Sequence, residues 1–294
     1  MAGSFEAERI AIERCLDEAC DNHLSTLPTG IAEAVRYGLK SPGKRIRPLL
    51  VVYAYQAAGG RGDATMLACA PEVIHAYSLV HDDLPCMDDD DMRRGRPTVH
   101  KVYGSRTAII AGVAMIPIAA LVVRDAARAM HLPREVRDAI LGTLMESGGF
   151  SGMIGGQVRD LAGEGLSLSL EDRETIHAAK TGALIVGSLR IGALAASASP
   201  AALDALARFG RAIGLSFQIM DDVLDVTSTT GALGKTAGRD AALGKSTYPA
   251  LLGVDGARKR AHALIEEGLA ALAEQKMLTR ELSQVANFIV TRTS

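Results

Sequence analysis

Residues 201–225 read AALDALARFGRAIGLSFQIMDDVLD, and this stretch decides the fold class. Its apolar side chains recur at steps of three and four residues, which is the period of an α-helix. The same period returns along most of the chain, in segments 6–19, 48–58, 66–80, 106–130, 171–196, 257–273 and 280–291. Alternating patterns typical of strands are nearly absent. The sequence therefore predicts an all-α protein, built as one large helical bundle.

Length and charge narrow the class of protein. The chain has 294 residues, of which 48% are hydrophobic, enough to bury a large core. No stretch rich in proline, glycine and serine divides it, so we predict a single domain over residues 1–294. The formal net charge of −2 argues against a general nucleic-acid-binding protein, because such proteins carry a basic excess over one face.

Cysteine usage and hydropathy predict a cytoplasmic protein. The four cysteines include no Cys-x-x-Cys pair, so neither a disulfide framework nor a zinc site is expected, and a reducing cytoplasm fits best. The first residues lack a basic start followed by an apolar run, so no secretory signal is expected. The longest apolar run, residues 108–123, contains Pro117 and is shorter than the roughly 20 residues of a membrane span. We predict a buried helix there and no membrane span.

Two acidic clusters of similar shape, HDDLPCMD at 81–88 and QIMDDVLD at 218–225, each close an apolar helical stretch. Negative charge beside an apolar core needs a positive partner, and divalent metal ions holding a polyphosphate meet that need. Carboxylate oxygens that leave coordination positions open suit magnesium. The remaining acidic residues of the first run, 89–91, are assigned to a solvated loop. The predicted metal ligands are Asp82, Asp83, Asp88, Asp221, Asp222 and Asp225.

Basic residues in several places predict phosphate binding. Lys44 and Arg47 lie three apart at a helix start, Arg93 and Arg94 follow the first acidic cluster, and Lys180 lies inside a helix. Helical geometry also places His75 on the same face as Asp82. One diphosphate does not need so many cations, so we predict a metal-bound diphosphate site at the aspartates and a metal-free site among Lys44, Arg47, His75 and Arg94. Two diphosphate substrates imply a transfer reaction.

At these residues the sequence resembles the polyprenyl synthetase family of trans-prenyl diphosphate synthases, and most closely the bacterial farnesyl diphosphate synthases. The resemblance covers nearly the whole chain. The motifs that carry it stand in order along the chain: GKRIRP at 43–48, Asp82-Asp83-x4-Asp88, RRGRPT at 93–98, KTG at 180–182, FQIMDDVLD at 217–225, and GKTAGRD at 234–240 with GKSTYP at 244–249.

The resemblance implies an isoprenoid synthase bundle around a central cavity. It also implies condensation of isopentenyl diphosphate with dimethylallyl or geranyl diphosphate to farnesyl diphosphate, through magnesium-assisted ionisation, condensation and proton elimination. Three magnesium ions in the substrate complex and a homodimer belong to the same expectation.

Carried onto matching positions, the resemblance assigns roles to individual residues. The predicted catalytic residues are Lys180, Thr181 and Gln218. The allylic diphosphate is expected at Arg93, Lys180, Thr181, Gln218, Lys235 and Lys245. Isopentenyl diphosphate is expected at Gly43, Lys44, Arg47, His75 and Arg94. The glycine-bearing stretch 229–245 is predicted to close over the substrate.

Product length depends on Tyr77 in this reading. Tyr77 precedes Asp82 by five residues, so it lies roughly 7–8 Å deeper along the helix, where a growing chain would pass. An aromatic residue here resembles the floor that stops growth at fifteen carbons, although Ser78 lies closer in angle to Asp82. Val113 and Pro117 stand in a segment where relatives commonly carry Ala-Gly-Asp-Ala-Leu, and some twenty-carbon synthases also lack that aspartate. Geranylgeranyl diphosphate is therefore the alternative product.

Other classes fit less well. A terpene cyclase has Asn/Ser/Glu character in its second metal motif and no use for Lys44 and Arg47. A non-catalytic partner subunit of another synthase would have lost one aspartate cluster, and both are intact here. A helical di-metal oxidase needs Glu-x-x-His pairs from its helices, and Glu72 with His75 is the one tempting pair.

Overall fold

The computed structural model of the chain describes residues 5–163, 165–166, 168–227 and 247–292, and within them it is almost entirely helical, so the all-α prediction is confirmed. The first half contains α1 (Glu6–His23), α2 (Thr29–Leu39), α3 (Ile46–Ala57), α4 (Thr65–Asp82), β1 (Met92–Arg93), β2 (Arg96–Pro97), α5 (Val99–Tyr103), α6 (Ser105–Ala129) and α7 (Arg134–Gly148). The second contains α8 (Met153–Ala162), α9 (Leu170–His177), a π turn (Ala178–Gly182), α10 (Ala183–Ala195), α11 (Pro200–Thr227), α12 (Tyr248–Glu274) and α13 (Arg280–Thr291). Lys235, Lys245 and the rest of the predicted closing stretch, 229–245, lie outside the described residues.

The described chain forms two compact units, and the division falls within α3 and within α7. One unit comprises Met1–Val52 with Arg61–Leu141, and the other comprises Tyr53–Gly60 with Gly142–Ser294. The single domain over residues 1–294 stays a prediction.

The first unit is organised around α4, which packs against α1, α2 and α6. Small residues let α4 and α6 approach closely. A Cβ added to Gly112 of α6 would lie 2.1 Å from Nε2 of His81. That nitrogen is 3.1 Å from the Ile109 carbonyl oxygen. The contact fixes the last turn of α4, which carries the first acidic cluster.

The second unit is organised around α11, which packs against α12, α10 and α13. Its buried side chains lie on all sides of the helix, as expected of a central helix rather than a surface one. Gly253 interrupts α12 with a φ of 70°, a backbone conformation that glycine adopts without strain. The second acidic cluster therefore lies on the helix around which its unit is packed.

Two segments of the described chain are long and apolar enough to cross a membrane by length and composition alone: α6, and the stretch Leu170–Ala195 that joins α9, the π turn and α10. In the apolar window of each, 44% and 61% of the residues are buried within the protein. Buried helices of soluble proteins pass the same test. The helix α6 includes the whole apolar run 108–123, and its bounds differ by one residue from the periodic segment 106–130 that predicted it. The absence of a membrane span stays a prediction.

Candidate active site

The first acidic cluster lies where α4 ends. Asp82 is the last residue of α4, and the backbone N–H of Asp88 donates to the Asp82 carbonyl oxygen at 2.9 Å. A second backbone bond, from Asp89 to Leu84, tightens the same loop at 3.1 Å. The loop thus brings Asp82 and Asp88 together although they are six residues apart, and both are half-buried.

Asp83 points into the protein instead. It is buried and accepts a hydrogen bond from Nε of Arg93 at 2.5 Å. Burial raises the pKa of the Asp83 carboxyl, and the charge of Arg93 opposes that rise. Arg93 belongs to the β1–β2 hairpin, so this ion pair anchors the hairpin beneath the acidic loop. Magnesium binding by Asp83 stays a prediction.

A cationic cluster lies beside α4, formed by Arg47, His75 and Arg94. Burial lowers the pKa of Arg47 to about 10, with the charge of Glu72 opposing and that of Arg94 adding to the shift. Burial, together with the charges of Arg47 and Arg94, holds the pKa of His75 well below its usual range, so this imidazole is neutral at neutral pH. Within the described residues, the buried Nε of Arg47 has no hydrogen-bond partner. A bound anion would relieve both the repulsion and the missing bond.

Gly43 lets Arg94 reach this cluster. Arg94 adopts a left-handed φ of 51° and donates from Nη1 to the Pro42 carbonyl oxygen at 2.6 Å. A Cβ on Gly43 would lie 2.6 Å from the same nitrogen. Lys44 is exposed next to it. Of the residues predicted to bind isopentenyl diphosphate, the structure therefore brings together Gly43, Arg47, His75 and Arg94, and Lys44 follows Gly43 along the chain.

The predicted chain-length residues lie one turn before the acidic cluster. Tyr77 is buried, and its ring meets that of His81 edge to face at a centroid distance of 5.7 Å. Burial, with a further contribution from the charge of Asp82, raises the pKa of Tyr77 to about 12. Ser78 is half-buried and donates to the His75 carbonyl oxygen at 2.9 Å. Tyr77 is the larger of these two side chains.

In the second unit, Lys180 and Thr181 lie in the π turn between α9 and α10. Lys180 donates to Asp160 of α8 at 2.6 Å. Gly156 makes that approach possible, because a Cβ there would lie 2.2 Å from the Lys180 backbone nitrogen. Single π turns occur often at functional sites. Sequence reasoning missed Asp160, although a glycine pair followed by a carboxylate, Gly155-Gly156-x-x-x-Asp160, was the available signal.

The second acidic cluster is held by three separate contacts. Asp222 is buried and accepts from the backbone N–H of Tyr248 at 3.1 Å. The Tyr248 hydroxyl donates to Glu174, and burial followed by this bond raises the pKa of the phenol. Asp221 pairs with Arg292 at 2.7 Å. Asp225 is buried, and Gln218 is half-buried and lies one turn before Asp221.

These carboxylates fit magnesium by their chemistry. Both clusters offer oxygen ligands of the hard type that Mg²⁺ prefers, and Asp82, Asp88 and Asp221 keep part of their surface accessible. A third acidic group, formed by Asp89, Asp91 and His100, has ligand atoms within 4.8 Å of one another. The solvated role predicted for Asp89 and Asp91 agrees with their exposure.

The sequence profile of the polyprenyl synthetase family matches residues 28–284. The chain belongs to the polyprenyl synthetase family. The farnesyl diphosphate synthase of Escherichia coli is 44% identical, over 96% of this chain and 97% of that protein. The chloroplastic geranylgeranyl pyrophosphate synthase of Catharanthus roseus is 42% identical, over 96% of this chain and 78% of that protein.

Solved structures of the family share the fold. A geranyltransferase from Helicobacter pylori, complexed with magnesium and isoprenyl diphosphate, superposes with a TM-score of 0.80 at 31% identity, covering 99% of this chain and 97% of that one. The predicted family membership and the isoprenoid synthase type of helical fold are thereby confirmed.

Proposed function

We propose that this polyprenyl synthetase condenses isopentenyl diphosphate with dimethylallyl and geranyl diphosphate to give farnesyl diphosphate. The observation that carries the proposal is the 44% identity to a farnesyl diphosphate synthase over almost the full length of both chains. The prediction of a prenyltransferase is confirmed by the family match. The assignments of individual residues that follow are proposals.

The allylic diphosphate is assigned to the acidic clusters. The six aspartates that would hold magnesium are Asp82, Asp83, Asp88, Asp221, Asp222 and Asp225, of which Asp82, Asp88 and Asp221 are the less buried. The Helicobacter pylori relative carries magnesium with an isoprenyl diphosphate, which supports this cofactor. Bound magnesium would neutralise the leaving diphosphate and so favour ionisation of the allylic C–O bond. Three ions in the substrate complex belong to the proposal. The cationic side chains assigned to the same diphosphate are Arg93, Lys180, Lys235 and Lys245, the last two outside the described residues.

Isopentenyl diphosphate is assigned to the cationic cluster of Arg47, His75 and Arg94, with Lys44 at its exposed edge. An anion would give the buried Nε of Arg47 the partner that it lacks among the described residues, and would accept a hydrogen bond from the neutral imidazole of His75. No metal is needed there, because the site already carries a net positive charge. Binding of the diphosphate group leaves the double bond to attack the allylic cation.

The π turn and α11 each supply a group that faces the cation. Thr181 and the amide oxygen of Gln218 present lone pairs that stabilise positive charge as it develops. Lys180, held by Asp160, would contact the leaving diphosphate. The released diphosphate is the proposed base for the final proton, so no protein nucleophile takes part.

Farnesyl diphosphate is the favoured product because Tyr77 is bulky and buried near the first cluster. Geranylgeranyl diphosphate is the second candidate. It is favoured by the 42% identity to a geranylgeranyl pyrophosphate synthase and by Val113 and Pro117, both exposed on α6, where relatives carry other residues.

A homodimer is proposed from the surface of α6, and a cytoplasmic location from the free state of the four cysteines. Ile109, Ile110 and Val113 are exposed and lie within four residues of one another on this helix. Contiguous exposed apolar surface of this kind is typical of subunit interfaces. A second copy of the chain, covering this surface, is the proposed occupant.

The test is to incubate the purified protein with magnesium, isopentenyl diphosphate and one of three starters, dimethylallyl, geranyl or farnesyl diphosphate. Dephosphorylated products are then identified by chain length. Farnesol as the end product supports the proposal. Geranylgeraniol as the end product would keep the proposed reaction but change the assigned product to geranylgeranyl diphosphate. No condensation by folded, metal-loaded protein would favour a non-catalytic partner subunit.

A further inference from the structure

Arg292, the residue after α13, is fixed against the turn of α11 that carries the second acidic cluster. Its Nη2 donates to Oδ1 of Asp221 and to the carbonyl oxygen of Phe217, each at 2.7 Å. The guanidinium carbon lies 3.8 Å from the centroid of the Phe217 ring. Only 4% of the Arg292 side chain is exposed, whereas 39% of the Asp221 side chain is.

Arginine is the residue type that these contacts require. Phe217 and Asp221 are four residues apart on α11, so the ring, the carbonyl group and the carboxylate lie on one face. A planar guanidinium can stack on the ring and donate in its own plane at the same time. A lysine ammonium has no plane and would lose the stacking contact.

The position of Arg292 is set by the helix before it. Its backbone N–H donates to the Phe288 carbonyl oxygen at 3.1 Å, at the end of α13. The same helix is docked through its buried apolar side chains, which include Leu282, Val285 and Ile289. The guanidinium is therefore delivered to Asp221 by a docked element, and its placement does not depend on a substrate.

We propose that Arg292 is a positioning residue for the metal-binding carboxylate of Asp221. By holding Oδ1, it fixes the rotamer of Asp221 before magnesium arrives, and the exposed part of the carboxylate is presented in one orientation. The inference rests on the proposed function, in which Asp221 binds magnesium. Partners that orient a ligating carboxylate typically contribute 10- to 100-fold to metal affinity or activity.

The experiment measures metal binding directly. Mn²⁺ binding is followed by the loss of the free-ion electron paramagnetic resonance signal, with geranyl thiodiphosphate present as an unreactive substrate analogue. Arg292→Gln is expected to weaken Mn²⁺ binding about 10- to 100-fold, and Arg292→Lys by an intermediate factor. The matched control is Arg280→Gln, at the exposed first position of α13, which should leave Mn²⁺ affinity unchanged.

A double-mutant cycle separates positioning from simple bracing of α13 on α11. In an Asp221→Asn background, Arg292→Gln should cause no further loss of Mn²⁺ affinity, because its effect acts through that carboxylate. The inference is overturned if Arg292→Gln lowers the melting temperature but keeps an Mn²⁺ affinity within twofold of that of the wild type. If Arg292→Gln does not fold, the same comparison is decided by Arg292→Lys.

The outcomes also distinguish this inference from the proposed function. Wild-type protein that binds no Mn²⁺, or Asp221→Asn that binds it as tightly as the wild type, contradicts the metal assignment itself. Tight binding by the wild type, lost in Asp221→Asn but kept in both Arg292 variants, contradicts the positioning role and leaves the assignment standing.

Discussion

Arg45 and Glu72 form a buried ion pair, in which Nη1 donates to Oε1 at 2.7 Å and the side chains are 2% and 4% exposed. Arg45 also donates to Glu13 through Nε at 2.7 Å. We expect Arg45→Met to lower the free energy of unfolding by about 3–5 kcal/mol, because it leaves the Glu72 carboxylate buried without this cation. Urea denaturation measures the change.

Removing both charges should cost less than removing one. In Arg45→Met/Glu72→Gln the uncompensated carboxylate is gone, so we expect most of the stability to return. A double variant as unstable as Arg45→Met alone would mean that shape, and not charge, dominates at this site.

Gly156 is expected to be irreplaceable where α8 meets the π turn. Gly156→Ala forces a Cβ against the Lys180 backbone, and such overpacking costs about 1–3 kcal/mol. It should also raise the KM for the allylic diphosphate, because Lys180 moves. Gly142→Ala is the control, since its Cβ would meet no atom within 4 Å and helix propensity favours it by about 0.5–1 kcal/mol. Equal stability of the two variants would contradict the prediction.

His75 should make stability depend on pH. Its pKa is lowered on folding, so the unfolded chain takes up the proton first and the stabilisation present above about pH 6.5 is lost as the pH falls. We expect the free energy of unfolding to fall by up to about 1.4 kcal/mol per pH unit in that window. His75→Gln should flatten the dependence, and inorganic diphosphate should as well, because an anion offsets the charges of Arg47 and Arg94.

The comparison for His75 is His262→Gln, which changes an exposed histidine of α12. Denaturation midpoints at pH 5, 6, 7 and 8 give the slope for each protein. If His262→Gln flattens the pH dependence as much as His75→Gln does, burial of His75 beside the arginines is not the cause of that dependence.

Tyr77 is predicted to limit product length. Tyr77→Ala opens space one turn from Asp82, so geranylgeraniol or longer alcohols should replace farnesol among the dephosphorylated products. Tyr77→Phe keeps the ring and should keep the farnesol. The same product spectrum from all three proteins would remove Tyr77 from this role.

Within the first acidic run, position should matter more than charge. Asp82→Asn and Asp88→Asn should each lower kcat/KM on the order of 100-fold or more, because metal ligands are lost. Asp89→Asn removes the same charge at an exposed residue with a φ of 50°, which asparagine tolerates, and should change kcat/KM less than about threefold. Steady-state rates at saturating magnesium provide the comparison.

The helices that the sequence predicted well are those with long periodic apolar faces. α4, α6, α11 and α13 lie within three residues of their predicted bounds. α2 and α8 were missed because each carries glycines that lower helix propensity, and their formation depends on packing. α12 begins nine residues before its predicted start, since Gly253 hides the continuation.

Motifs located the acidic and cationic residues but not their partners. That Asp82 and Asp88 approach each other follows from loop bonds that involve only backbone atoms, and no side-chain pattern encodes those. Arg45 stood inside a recognised motif, yet its burial against Glu13 and Glu72 depends on two other helices. Arg292 had no local signal, because its partner lies 71 residues away in sequence.

The π turn changes how the helical rod from α9 through α10 must be counted. One extra residue per turn rotates everything after Lys180 by about 100° relative to an uninterrupted α-helix. If Ala178–Gly182 became regular α-helix without losing a residue, α10 would therefore turn the wrong face toward α11, whereas deleting one residue there would remove the π turn and keep the face of α10. The hydrogen bonds of the π turn are poorer than those of an α-helix. Its one extra residue nevertheless determines which face of the buried α10 is turned toward α11.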